Sequence, residues 1–353
     1  MEPFNFIPTE IICKIIDLLT YDDIKNLFTL SKSWNNCIGT CGRSMKKIKL
    51  NITSFNLNDV VKIITNTQIL HRKYQHLQFS MSNYDSIIQH KCRIILNYYS
   101  DSIVSISTTC DIFFTSPLPK LKDVSFLMMD ELRKLSNGIN HDGLLSNIET
   151  IENLTFISSD SNDIKLVAEF LLKLNNLKYL CLEDAEVLNI YFTNQYNFRL
   201  TTFLYTGYSK LSKNVRDLLI KNQTTLAMIQ YGEVTFEDMA TFLLFPNLKT
   251  LKVLRCAYAP FESHVYSLNL SITSLSIEGF YATTDNLNQN LTNLLKVLKN
   301  IEVLVLSHLD GTDLDSLFQI NSLKLVKFDI LTNVTKKQKM MMMVHSKISF
   351  VFY

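Results

Sequence analysis

One spaced apolar phrase, written six times, constrains this chain more than any other feature. It consists of an apolar residue, then three positions on Leu or Ile followed by Lys or Glu, then two further apolar residues three and five positions later. The copies are Leu118-Pro-Lys-Leu121-Lys-Asp-Val124-Ser-Phe126, Ile148-Glu-Thr-Ile151-Glu-Asn-Leu154-Thr-Phe156, Leu174-Asn-Asn-Leu177-Lys-Tyr-Leu180-Cys-Leu182, Phe245-Pro-Asn-Leu248-Lys-Thr-Leu251-Lys-Val253, Leu298-Lys-Asn-Ile301-Glu-Val-Leu304-Val-Leu306 and Ile320-Asn-Ser-Leu323-Lys-Leu-Val326-Lys-Phe328. With 47% of residues hydrophobic, the bare triplet aliphatic-x-x-aliphatic-x-apolar arises by chance at roughly 0.1 per start, about 35 times in the chain. Only the longer phrase carries weight.

Weaker copies start at Tyr74, Ile103, Leu200, Leu226 and Ile272, so the series from 74 to 323 covers 249 residues in ten steps, a mean of 24.9. Only the steps on either side of Leu121, 18 and 30 residues long, leave the roughly 20 to 29 residue range of leucine-rich repeats. They make the Ile103 register suspect. Met45-x-x-Ile48-x-Leu50 reads as an entry strand and His345-x-x-Ile348-x-Phe350 as a closing one. Helical spacing fills the intervals 163–174, 214–220, 236–244 and 285–298. Each unit has too little apolar surface to fold alone, so neighbours must stack into one continuous core. Residues 45–353 thus resemble the leucine-rich-repeat family, which implies an α/β fold: a right-handed solenoid of about 11 to 13 irregular repeats of about 25 residues, with parallel strands on the concave face and helices on the convex face. The polar Asn or Cys of the strict family pattern is clear only at Cys256.

The first 44 residues read differently. Pro8 suits a first helical turn, Glu10 places negative charge near the helix start, and Ile11, Ile12, Ile15, Ile16 and Leu19 follow as one apolar stripe. Thr20-Tyr21-Asp22-Asp23 has the spacing of a capping box opening a second helix, whose stripe is Ile24, Leu27 and Phe28. Trp34, the one tryptophan, lies in a polar stretch and reads as a core anchor. Three short helices cannot bury this much Ile, Leu and Phe among themselves; the excess apolar surface calls for a partner. The order Ile7-Pro8-Thr9-Glu10-Ile11-Ile12, Ile15-Ile16-x-x-Leu19, Asp23-Ile24-x-x-Leu27 and Leu30-Ser31-Lys32-Ser33-Trp34 resembles the F-box motif. Ile7, Leu30 and Lys32 stand where that motif usually has leucine, valine and arginine. The expected domains are therefore a three-helix F-box-like head over 1–44 and the repeat array over 45–353.

Composition excludes several function classes. Lys+Arg 35 against Asp+Glu 33 gives a net charge of +2, with no overall field to hold a nucleic acid. No stretch approaches the roughly 18 apolar residues of a membrane span, and Met1-Glu2-Pro3 opens without a secretory signal; the expectation is no nucleic-acid or membrane partner and a place in cytoplasm or nucleus. Seven scattered cysteines, with Cys37 and Cys41 the nearest pair, read as free thiols and not as a metal site. The eight glycines form no phosphate loop, there is no Gly-x-Ser-x-Gly or His-Glu-x-x-His, and the adjacent carboxylates at 22–23, 183–184 and 237–238 suit capping better than acid/base work. No catalytic residue, cofactor or metal is expected. The run Met340 to Met343 reads as a loop or loosely packed cap; a sticky partner helix is the alternative.

The F-box and leucine-rich-repeat resemblances together imply a non-catalytic substrate receptor of a Skp-cullin-F-box ubiquitin ligase. The head would bind the Skp adaptor, and through it cullin and a RING subunit; the repeats would hold an unidentified protein substrate. Position-matching gives Ile7, Pro8, Ile11, Ile12, Ile15, Leu19, Ile24, Leu27 and Trp34 as residues that build or support the adaptor surface. Outward strand positions give Lys178, Tyr179, Lys249, Lys252, Arg255, Lys324 and Lys327 as substrate-facing residues, with ordinary solvated lysines as the plainer reading. The alternative keeps the repeats and makes the helices a terminal cap on a protein-interaction scaffold.

Overall fold

The computed structural model describes residues 7–66, 72–81, 85–109, 117–126, 148–157, 170–183, 196–207, 210–257, 268–281, 294–310, 314, 317–344 and 347–352. The head contains α1 (Thr9–Leu18), α2 (Tyr21–Leu30), α3 (Lys32–Thr40) and a single turn, α4 (Gly42–Met45). Pro8 stands at the N-cap of α1 and not in its first turn; its carbonyl accepts from the amides of Ile11 and Ile12 at 2.9 and 3.2 Å. The capping box forms as its spacing requires, with Asp23 N–H donating to Thr20 Oγ1 at 3.2 Å and Thr20 N–H to Asp23 Oδ2 at 3.0 Å. The Thr20 hydroxyl also donates to this carboxylate and holds Asp23 below the usual carboxylate range. Ser31 is the N-cap of α3, its hydroxyl accepting from Trp34 N–H. Lys47 reaches back to the Asp17 and Leu19 carbonyls at 2.5 and 3.2 Å, closing the C-terminal end of α1.

Ile12, Ile16, Ile24 and Ile38 form the buried centre of the head with Cys41, Met45 and Ile48, while Leu19, Leu27, Trp34 and Tyr74 pack half-buried against it. The apolar stripe of α1 therefore splits. Successive helical residues lie about 100° apart, so Ile12 and Ile16 turn inward while Ile11 and Ile15 face out.

Parallel strands follow in chain order: β1 (Lys49–Thr53), β2 (His76–Ser80), β3 (Ser105–Thr108), β4 (Asp123–Phe126) and β5 (Asn153–Phe156), then β6 (Tyr179–Leu182), β7 (Thr202–Tyr205), β8 (Met228–Thr235), β9 (Thr250–Ala257), β10 (Ser274–Ile277), the short β11 (Phe280–Tyr281) against β9, β12 (Val303–Asp310), β13 (Leu325–Thr332) and β14 (Ser349–Phe352). The head with β1–β5 belongs to one compact unit and β6–β14 to a second. In the first, Leu77, Ile106, Val124 and Leu154 lie in one register column. In the second the column runs Leu180, Phe203, Ile229, Leu251, Leu275, Leu304, Val326 and Phe350. Within each unit the repeated strands thus offer their apolar residues at the same height, as a ladder of parallel strands.

Two registers differ from the expected ones. The Ile103 copy holds: Ile103 and Ile106 are fully buried and β3 pairs in step with β2 and β4, so the 18-residue step is real. Thr108 occupies its third triplet position, which is why this copy reads weakly. At both ends the strand falls two residues later than expected, since Leu50 and Ile52 align with Leu77 and Phe79, and Phe350 and Phe352 with Val326 and Phe328. Side chains alternate with period two, so a two-residue slip keeps the same faces and apolar pattern alone cannot detect it. Ile48, freed from the strand, joins the head core.

Between strands lie α5 (Leu57–Thr65), α6 (Ser86–Tyr99), α7 (Lys213–Lys221) and α8 (Phe236–Leu243); after β13 comes α9 (Lys336–Val344). The expected helices at 214–220 and 236–244 are α7 and α8. Those at 163–174 and 285–298 lie mostly outside the described residues, which show helix at 170–173 and 294–297. The methionine run is helical, not a loop: Thr335 and Gln338 make a reciprocal cap, and Gln338 turns inward.

A polar ladder tightens the stack. The residue just before the first buried aliphatic of a triplet repeatedly donates to a carbonyl of the preceding repeat: Ser102 to Tyr74 at 2.9 Å, Asn176 to Glu149 at 2.6 Å, Thr225 to Leu200 at 2.7 Å, Asn247 to Thr224 at 2.6 Å, Asn300 to Leu270 at 2.8 Å and Ser322 to Lys299 at 2.9 Å. Asn269 does more from a buried position, accepting from the amides of Ser271 and Ile272 and donating to Leu243 O. Asn269→Ala strands three backbone groups at once, two of them buried, and urea unfolding of the variant should show about 2 kcal/mol lost.

Candidate functional site

The surface that most needs a partner is the outer side of α1. Ile7, Ile11, Ile15 and Leu18 are 38, 44, 40 and 87% exposed; the spacing of the last three places them along one side of the helix, and Ile7 stands just before its start. About 100° round the helix are Ile12 and Ile16, sealed in the head core. A helix this broadly apolar is normally covered on both stripes, yet among the described residues the stripe of Ile11, Ile15 and Leu18 is left partly open to solvent. Leu30, at the end of α2, is also exposed. Of the nine position-matched residues, Ile7, Pro8, Ile11 and Ile15 are exposed, Leu19, Leu27 and Trp34 half-buried, and Ile12 and Ile24 internal. Leu18 and Leu30 were not among them. A helical wheel of α1 that separates positions 11, 15 and 18 from 12 and 16 would have found Leu18.

The head also rests on the start of the repeats within its own unit. Tyr74 packs on its core, and Arg72 Nη2 donates to Asn35 O at 3.3 Å.

The second candidate surface is the outward side of β6–β14. Lys178 and Tyr179 lie on or beside β6, Lys249, Lys252 and Arg255 at β9, and Lys324 and Lys327 at β13. Three strand steps separate each group from the next, about 14 Å at the usual strand spacing. They do not form one patch. Lys252 pairs with Glu278 at 2.7 Å and Lys324 with Glu302 at 2.9 Å, while Arg255 stands opposite Glu233 in the ladder. In the first unit Lys122 pairs with Glu152 at 2.7 Å, and the hydrogen bond it donates to that carboxylate raises the lysine above its ordinary value. Such exposed pairs add about 0 to 1 kcal/mol each, and with them the outward side carries mixed charge. Tyr179 hydrogen-bonds the Cys181 thiol, which burial nevertheless pushes up from its usual value.

At β12–β14 several outward positions are apolar beside Lys327 and Ser349. Val303, Val305 and Leu325 are half-buried, and Val351 is exposed. The sequence signal was present in Leu323-Lys-Leu-Val326-Lys-Phe328, where Leu325 breaks the polar alternation.

Two of the adjacent carboxylate pairs contribute structural acids. Asp23 caps α2, and Asp238, 2% exposed, accepts from Thr235 N–H and its hydroxyl at 2.9 Å and pairs with Arg216. Asp238→Ala removes the carboxylate half of the α8 capping box and leaves Arg216 without its carboxylate, so thermal unfolding should report about 2 to 3 kcal/mol of lost stability. Among the described residues no group of three or more His, Cys, Asp or Glu is placed to hold a metal ion, and no helix is long and apolar enough to cross a membrane.

No protein-family model and no curated protein sequence matches the chain. Among solved structures it is similar to an internalin (InlF) from Listeria monocytogenes, at 12% identity over 79% of this chain and 80% of that one, with a TM-score of 0.42. It is also similar to a Bacteroides fragilis protein at 11% identity over 66% and 74%, with a TM-score of 0.33. Likenesses this distant carry nothing about function; the ladder assignment rests on the pairing register.

Proposed function

We propose that this chain is a non-catalytic substrate receptor of a Skp-cullin-F-box ubiquitin ligase. The exposed side of α1 docks the Skp adaptor, which carries cullin and the RING subunit, and the outward side of β6–β14 takes a protein substrate in the cytoplasm or nucleus. The observation that carries this reading is α1 itself, apolar on the side it buries and apolar on the side it leaves open. The F-box-like order of residues supports it. The chain's contribution is proximity, raising the effective concentration of substrate lysines near the loaded conjugating enzyme.

A second reading has its own observation. Tyr74 and Ile48 pack into the head core and Arg72 bonds to Asn35, so the helices also shield the first strands as a terminal cap does. Expression with and without the Skp adaptor separates the two. The ligase reading expects a one-to-one complex, lost when residues 1–44 are removed. A soluble, monomeric full-length chain that never captures the adaptor leaves the cap alone.

A further inference from the structure

Helix α9 is absorbed by neither surface. Its inward residue is Gln338, and its outward side carries Met340, Met343 and Val344, 70, 88 and 74% exposed, at i, i+3 and i+4. Lys336, Lys337 and Lys339 are exposed on the same helix, and Lys347 follows it. At about 100° per residue Lys337 and Lys339 fall on either side of the apolar trio, and Lys336 lies one turn before it. The sequence from 330 to 353 contains those four lysines and no Asp or Glu, whereas the whole chain is only +2.

We infer that α9 is a peripheral docking element for an anionic phospholipid surface, with Met340, Met343 and Val344 entering the acyl boundary and the four lysines meeting lipid phosphates. Charge complementarity selects this occupant. Each lysine near an anionic bilayer raises partition about fivefold, so four contribute on the order of several hundredfold. Three exposed apolar side chains are too small a set for a stable protein interface, which needs on the order of 1,000 Å², but they suffice to seat a helix that charge already holds at the surface. No membrane span is involved, so the absence of one from the sequence does not bear on it.

The test is co-sedimentation of the full-length chain with phosphatidylcholine vesicles, with and without phosphatidylserine. The chain should pellet with the mixed vesicles, stay in solution with phosphatidylcholine alone, and release as salt is raised. Charge reversal, K336E/K337E/K339E, should weaken binding by at least about a hundredfold, and M340S/M343S/V344S by at least about tenfold. All six positions are exposed, so an unchanged thermal midpoint confirms that each variant is folded. Equal binding to both vesicle types, unaltered binding by the charge-reversed variant, or a chain left in solution with the anionic vesicles overturns the inference; the last result would send α9 to an acidic groove on a protein.

Discussion

Replacing Ile11 and Ile15 together by Asp is expected, on the proposed ligase reading, to abolish capture of the Skp adaptor while leaving the chain folded. Both residues reach water, at 44 and 40% exposed, so a carboxylate at either position can keep its hydration at the cost of part of the isoleucine packing. Against an apolar partner the balance reverses. Each isoleucine buried on docking contributes about 1.5 to 3 kcal/mol, and each aspartate left facing the partner adds a desolvation cost. A loss of at least about a thousandfold in affinity follows, measured by titration against purified adaptor. Ile16→Ala is the counterpart. It hollows the head core, where Ile16 is fully buried, and should lower stability by about 3 kcal/mol. If the Asp double variant still binds, the exposed side of α1 is not the adaptor site. If it unfolds, the outward placement of Ile11 and Ile15 is wrong.

Gly232→Ala should be the most damaging single methyl in the second unit, with a loss of about 4 kcal/mol or an insoluble chain. Gly232 lies inside β8, and a Cβ there would fall on the carbonyl oxygen of Gly207 in the preceding repeat. Gly207 is placed likewise, its own Cβ site taken by the Glu183 carbonyl and the Tyr205 ring. Because the obstacle at Gly232 is backbone, no rotamer relieves it; the strands must part, and Tyr205 and Tyr231, whose ring centroids are 4.6 Å apart, must separate with them. Gly279 is the control, since its nearest neighbour would be 3.2 Å away, and Gly279→Ala should cost much less. Parallel urea titrations decide; equal losses at 232 and 279 would show that the close approach is not what sets the cost.

Much of the ladder was legible because burial in a strand is local. Leu121, Ile151, Leu177, Leu248, Ile301 and Leu323, each heading a full copy of the phrase, are all buried to within 1%. The capping box at Thr20 was legible for the same reason, since donor and acceptor stand three residues apart. Less could be read where the partner is remote. The polar step residues Asn176, Asn247 and Asn300 lay inside the quoted copies, but their acceptors are 27, 23 and 30 residues away. The pairing of the outward lysines is remote in the same manner, since Lys252 and Lys324 meet carboxylates supplied by neighbouring repeats.

By itself the sequence determined which residues point inward along each strand, that the strands recur about every 25 residues, and that a short helical head precedes them. Those facts follow from periodicity, and periodicity is carried by adjacent side chains. Only the tertiary structure decided where the first and last strands begin, which side of α1 is left open, how the outward charges pair, and that the methionine run is a helix turned toward solvent. Each of these depends on hydrogen bonds and contacts between residues distant in the chain, and two-residue slips or either side of an apolar helix satisfy the local pattern equally well.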